Sequence, residues 1–137
     1  MEPLIVTTTI NAPIEKVWEL FTNAEHIINW NFAHESWHCP KAENNLEIGG
    51  EFFYTMAAKD KSASFVFHGT YTEVIPHQKI EYHIEDGRKV EIFFNAIDEN
   101  ITEIFERFEP ENINALEMQE QGWQSILNQF KEYTEGN

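Results

Sequence analysis

Glu106 sits where a carboxylate is chemically out of place. It belongs to the run Thr102-Glu103-Ile104-Phe105-Glu106-Arg107-Phe108. Alternate residues of a strand share a face, so Glu106 joins Thr102, Ile104 and Phe108 on the apolar, inner side. A carboxylate there needs a partner, a wet pocket or a raised pKa. Inside a cavity it would act as a polar anchor or as a general acid or base. A bulge would instead turn Glu106 outward and bring Phe105 in. Arg107 cannot share its face on a regular strand, so it is not the obvious partner.

The other titratable residues carry weaker signals. His34, His38 and Cys39 are close in sequence, with His26 not far. None of these spacings matches the paired Cys or His motifs of zinc sites, so they read as surface or loop residues, with no metal and no cofactor. A His38-Cys39 nucleophile pair is disfavoured because neighbours on a strand point to opposite faces.

Aromatic residues form the second constellation. Trp30, Phe32, Trp37, Tyr54, Phe65, Phe67 and Trp123 can either pack a core or wall a cavity. With Met56, Met118, Gly122, Ile126 and Glu106 they make the candidate ligand-binding set. A ligand-sized void of ~300 Å³ left by side chains would cost about 7 kcal/mol at roughly 24 cal/mol per Å³. That is comparable with the whole stability of a small domain, so a cavity, if present, calls for a ligand.

Hydrophobic periodicity supplies the elements that would position these residues. Leu4 to Ile10 is rich in β-branched residues and reads as a strand. Asn11 is an N-cap candidate for a short helix carrying Ile14, Val17, Trp18 and Phe21 at helical spacing. Thr22 or Asn23 caps a second short helix, Ala24 to about Ile28. Trp30 to Pro40 reads as part loop and part edge strand. From Gly50 to Phe108 the pattern alternates. Phe52, Tyr54 and Met56 share a face; Phe65, Phe67, Gly69 and Tyr71 share another, followed by Ile80, Tyr82 and Ile84, then Val90, Ile92 and Phe94. Lys59-Asp60-Lys61 and Asp98-Glu99-Asn100 read as turns, and Asp86-Gly87 as a two-residue hairpin. Apolar-in, polar-out alternation indicates an antiparallel sheet with one wet face. After Pro110 a helical pattern runs from about Glu111 to Tyr133, with Ile113, Leu116, Trp123, Ile126, Leu127 and Phe130 on its apolar stripe and Met118 at its margin. Gly122 within it costs about 1 kcal/mol relative to Ala, which suggests close approach of a strand backbone or a ligand, or tight helix-sheet packing.

Composition bounds the partners. At 137 residues, with 42% hydrophobic and 14% aromatic, the chain suits one domain, 1–137, around one core. The net charge of -15, from 24 acidic against 9 basic residues, repels nucleic acid and anionic membranes. The single cysteine forbids an intrachain disulfide, the start lacks a signal-peptide pattern, and no apolar run could span a bilayer. The expected placement is cytoplasmic.

These pieces, in this order, resemble the START-like (SRPBCC, helix-grip) superfamily. Within it they resemble the branch named after the C-terminal domain of the activator of heat-shock-protein-90 ATPase. The matching residues are Ile10-Asn11-Ala12-Pro13 with Val17-Trp18, Phe21 and Trp30; Gly49-Gly50-Glu51-Phe52; Gly69-Thr70-Tyr71-Thr72-Glu73-Val74-Ile75-Pro76 with Ile80-Glu81-Tyr82; Thr102-Glu103; and Gly122-Trp123 with Ile126-Leu127 and Phe130. The resemblance implies an α+β helix-grip fold. In it a curved antiparallel sheet of about six to seven strands wraps a long C-terminal helix over a cavity, and two short helices follow the first strand. It carries no catalytic motif to transfer.

The leading expectation is binding of a small apolar or aromatic molecule, a lipid or polyketide-like metabolite, with aromatic side chains supplying area and Glu106 a polar contact. Alternatives are a chaperone-associated interaction module, and a cyclase or hydrolase using Glu106, Tyr54 or His68. An exposed edge strand near Trp37 offers a surface for a homodimer.

Overall fold

The computed structural model describes residues 2–137. Seven strands form one antiparallel sheet: β1 (Leu4–Ile10), β2 (Trp37–Asn44), β3 (Glu51–Ala58), β4 (Ser64–Ile75), β5 (Lys79–Ile84), β6 (Lys89–Asp98) and β7 (Ile101–Phe108). Their order is β1-β7-β6-β5-β4-β3-β2, so β2 to β7 form a meander and β1 closes onto the last strand. Helices α1 (Ile14–Thr22) and α2 (Ala24–Ile27) follow β1, and α3 (Leu116–Glu135) ends the chain. This is the α+β helix-grip layout implied by the resemblance.

The strands form where the alternation places them, and β7 shows it most plainly. Thr102, Ile104, Glu106 and Phe108 are buried, while their neighbours are half-buried on the other face. The inner face joins α1 and α3 in one core. Phe130 of α3 meets Phe21 of α1 and Trp30 at ring separations of 5.0 and 4.8 Å. Trp18 and Phe21 pack edge-on against Phe94. Gly69 faces Phe52 across β3 and β4, and a Cβ there would lie 2.5 Å from the Phe52 ring. Glycine is therefore what lets that ring lie flat on the sheet.

Helix α3 grips the β1 edge as well as the core. Gln124 and Lys131 donate to the Thr7 and Thr9 carbonyls, and Glu135 accepts from the Asn11 amide. Strand groups that would otherwise face an unpaired edge are thereby capped. At the opposite edge β2 carries Pro40 and a register shift between His38 and Lys41.

Several local expectations are corrected. Helix α3 begins at Leu116, not near Glu111, and Ile113, Leu116 and Met118 are 84%, 48% and 62% exposed. Their helical spacing is real, but the first turns of α3 overhang the sheet and have nothing to pack on. Gly122 is not a point of close approach, because a Cβ there would meet nothing within 4 Å. Pro13, not Asn11, occupies the N-cap position of α1 and makes no side-chain cap. Asn23 caps α2 by accepting from the Glu25 amide. The β5–β6 turn also differs: Gly87 N–H donates to the Ile84 carbonyl, and Ile84 N–H to that of Arg88. The connection is thus Glu85-Asp86-Gly87, with Gly87 at φ +91°, a three-residue loop ending in a left-handed glycine.

Candidate functional site

Between the inner face of the sheet and α3 lies a cavity of about 340 Å³, partly open to solvent. Its floor comes from alternate residues of β3, β4 and β5: Phe52, Tyr54 and Met56; Phe65, Phe67 and Tyr71; Ile80 and Tyr82. Ile92 of β6 and Glu106 of β7 continue that floor. Trp123 and Ile126 of α3 form the roof, while Phe21, Thr22, Trp30 and Asn31 close the helical end. Trp123 stacks on Phe108 with ring centroids 4.0 Å apart and planes 9° from parallel, which fixes the roof against β7.

Polar groups occupy separate parts of the wall. In one, the Tyr71 hydroxyl donates to Asn44 Oδ1 at 2.5 Å, and Asn44 Nδ2 donates to the Thr22 carbonyl at 2.7 Å. The Tyr54 hydroxyl lies beside that of Tyr71, and burial holds its pKa well above the usual tyrosine value. At the mouth, Gln119 ties down the segment before α3: its amide donates to the Glu111 and Asn114 carbonyls and its oxygen accepts from the Glu111 N–H. Arg88 is engaged by Asp86 at 2.8 Å and reaches the Glu109 carbonyl.

Glu106 is different. It faces inward and is 6% exposed, and among the described residues its carboxyl makes no hydrogen bond or ion pair. Burial alone pushes its pKa up to about 8, because nothing nearby stabilises the charged form. Tyr82, also buried, makes no hydrogen bond through its hydroxyl among the described residues. Its pKa is pushed well above the usual value, first by burial and next by Glu106.

The cavity brings together Trp30, Tyr54, Met56, Phe65, Phe67, Glu106, Trp123 and Ile126. Four other candidates lie outside its lining. Phe32 is half-buried in the loop after α2. Trp37 packs on Phe65 from beyond the rim, with ring centroids 5.9 Å apart. Met118 points to solvent, and Gly122 sits on a face of α3 that meets nothing. Tyr71, Tyr82, Ile80 and Ile92 belong to the site although they fell outside the candidate set; their inward alternation was the available signal. Asn31 and Asn44 had no such signal, since loop and edge-strand phase depends on tertiary contacts. His68, considered as an acid or base, is on the outer face between Glu51 and Glu85 at 2.8 and 2.9 Å. Cys39 is buried, and burial pushes its thiol up to about 11, while His38 beside it is exposed. No group of three or more His, Cys, Asp or Glu side chains that could hold a metal occurs among the described residues. No described helix is long and apolar enough to cross a membrane.

The profile of the family described as Activator of Hsp90 ATPase homolog 1-like protein matches residues 11–135. The chain belongs to that family. Solved structures agree with this membership. The chain is 35% identical to the AHSA1-like protein from Aeromonas hydrophila, with a TM-score of 0.88 and coverage of 97% of this chain and 93% of the other. It is 49% identical to a protein from Cytophaga hutchinsonii, at TM-score 0.84 and 98% and 93% coverage. A Chromobacterium violaceum protein shares the fold over both full chains at 20% identity, with a TM-score of 0.87. No curated protein matches the chain. As an activator-of-Hsp90-ATPase-homolog-1-like protein, this chain has the START-like fold, and its own cavity residues carry the functional argument.

Proposed function

We propose that the protein binds a small apolar or aromatic molecule in the cavity between the sheet and α3. The observation that carries this reading is about 340 Å³ of space with predominantly apolar, aromatic walls and one inward carboxyl. At roughly 24 cal/mol per Å³ such a space costs up to about 8 kcal/mol if dry, and an open mouth lowers that figure. The cost would be hard to sustain in a domain of ordinary stability unless the space were used. Its size falls at the small end of ligand sites, which are mostly apolar with a few placed polar groups.

The test is a thermal-shift screen with fatty acids, sterols and aromatic metabolites. A ligand held in the cavity raises the melting temperature progressively with its concentration, adding about 2.7 kcal/mol of stability at a hundred times its Kd. A flat response across all three classes would contradict the proposal. The exposed Ile113, Leu116 and Met118 near the cavity mouth favour a second reading, a protein-interaction face, which the family description connects with Hsp90. Direct titration with purified Hsp90 tests it, and no binding at micromolar concentrations would remove it.

A further inference from the structure

Resting on that binding reading, we infer that the cavity's ligand presents a carbonyl oxygen, which the Tyr82 hydroxyl and the Glu106 carboxyl hold together at the sheet wall. The inference comes from which polar groups of the wall are already satisfied. Tyr71 and Asn44 satisfy one another and end on the Thr22 carbonyl. Gln119 and Arg88 are engaged by the segments at the mouth. Asn31 adds an amide, at once donor and acceptor, from the helical end. The Tyr54 hydroxyl is turned to that of Tyr71, which leaves Tyr82 and Glu106 as two O–H groups on the sheet with no hydrogen-bond partner among the described residues.

Register places them together. Glu106 lies in the row Ile80–Ile92–Glu106, and Tyr82 in the adjoining row Tyr82–Val90–Phe108. Only β6 separates their strands, and both side chains line the same cavity. Both are protonated at neutral pH, since burial raises Glu106 to about 8 and Tyr82 well above its ordinary value. Both oxygens reach the cavity space, so a ligand that displaces water from them must supply an acceptor or forfeit those bonds. One oxygen with two lone pairs can satisfy both at once. A tyrosine and a protonated carboxyl in apolar surroundings are a known physical means of gripping such an oxygen.

Other ligand charges fit less well. A carboxylate would enter a chain of net charge -15 and meet an acidic group. A protonated amine would have to shed its own hydration and then ionise Glu106. The titratable and charged groups facing Glu106 across the cavity are Tyr54 of β3, Tyr71 of β4, Tyr82 of β5, Arg88 of the β5–β6 turn and Glu111 before α3; Cys39 of β2 lies behind Tyr54. Residues of β6, α1 and α3 at the lining are apolar or carry neutral polar groups. Glu106 is therefore the group whose ionisation changes the character of the wall between neutral and alkaline pH.

Three compounds with one skeleton test this. Benzophenone, diphenylmethane and benzhydrylamine each place two phenyl rings on one carbon, which carries a carbonyl, only hydrogens, or an amine. Calorimetry at about pH 6.5 should show benzophenone binding about tenfold more tightly than diphenylmethane, as two shared hydrogen bonds allow. At about pH 9.5, with Glu106 ionised, that preference should shrink. The Tyr82→Phe, Glu106→Leu double variant should lose it while still binding diphenylmethane. Glu106→Gln retains a donor that does not titrate, so it should keep the preference at both pH values. Equal affinity for benzophenone and diphenylmethane would overturn the inference and leave the cavity-binding reading intact. So would a preference that survives in the double variant, or benzhydrylamine binding most tightly at the lower pH. If none of the three binds, this inference is overturned, and the screen of fatty acids, sterols and aromatic metabolites decides the cavity-binding reading separately.

Discussion

Glu91 and Glu106 lie on adjoining strands, 7% and 6% exposed, and their surroundings differ in almost every other respect. Glu91 looks out from β6 onto the convex face. Arg107 meets it twice, at 3.0 and 2.7 Å, and Lys79 approaches to 3.4 Å. Lys79 and Arg107 also lie 5.3 and 5.9 Å from the ring centre of Phe93. Burial acts to raise the Glu91 pKa, but the Arg107 bonds and the nearby lysines outweigh it and leave it lowered. Glu106 looks in from β7, has none of these partners, and is raised to about 8. Similar exposure thus accompanies a stabilised anion near the outer surface and a neutral acid deep in the interior. The distinction lies in depth and in the supply of partners: the outer face offers charge compensation near the surface, and the inner face holds an acid deep in the core, ready to donate a hydrogen bond.

That contrast can be broken or sharpened by substitution. The largest effect is expected from Glu106→Gln. A folded pKa raised above its unfolded value means the folded state binds the extra proton. The group's contribution is therefore complete below about pH 4.5 and is lost as pH rises toward about 8. At neutral pH this loss is on the order of 3 kcal/mol, at about 1.4 kcal/mol per unit. Glu106→Gln should accordingly raise stability by about 2–4 kcal/mol near pH 7 and by little near pH 4, as read from urea unfolding at both pH values. An unchanged midpoint at pH 7 would place the carboxyl in water.

Glu91→Gln should act in the opposite sense. Its lowered pKa supplies stability above the unfolded pKa, lost as pH falls through the folded one. Arg107 is 42% exposed at its side chain, so the pair is well screened, and the expected loss at neutral pH is about 1–2 kcal/mol. Below the folded pKa the variant and the parent should converge in the same unfolding assay.

A finer test is a pair of double-mutant cycles. Arg107→Met combined with Glu91→Gln should show a coupling of about 1 kcal/mol. Combined with Glu106→Gln it should be additive to within about 0.5 kcal/mol, although residues 106 and 107 are adjacent. Coupling to Glu106 would mean the sheet does not keep the two faces apart. The smallest effect is expected at His68. Its pKa is raised, by its bonds to Glu85 first and Glu51 next, so its contribution is present at low pH and fades as pH rises through the folded value. Because those partners are exposed, His68→Gln should change stability by under about 0.5 kcal/mol at pH 7.

The two glutamates also show what was legible in the sequence. Strand period placed Glu106 inside and Arg107 outside, because β7 is regular from end to end. The same period carried Phe67, Tyr71 and Tyr82 to the inner face. Legibility failed where tertiary contact decides the outcome. Ile113 and Leu116 continue the spacing of α3, but the helix starts only at Leu116 and its first turns project past the sheet. Trp37 is on an edge strand whose register slips between His38 and Lys41, so its distance from the cavity could not be read from alternation. Gly122 suggested close packing, but only the position of α3 shows that its face is open. Asn44 became part of the wall through Thr22 and Tyr71, two residues far from it in the chain.

The most direct measurement is a titration of the Glu106 side-chain carboxyl by carbon NMR in protein labelled at glutamate, with Glu106→Gln identifying the signal. This carboxyl should titrate at about 8 while that of Glu91 titrates below the ordinary carboxylate range. Titration of Glu106 at an ordinary carboxylate value, about 4.3, would contradict this, for it would mean that the acid is not buried without partners in an apolar cavity.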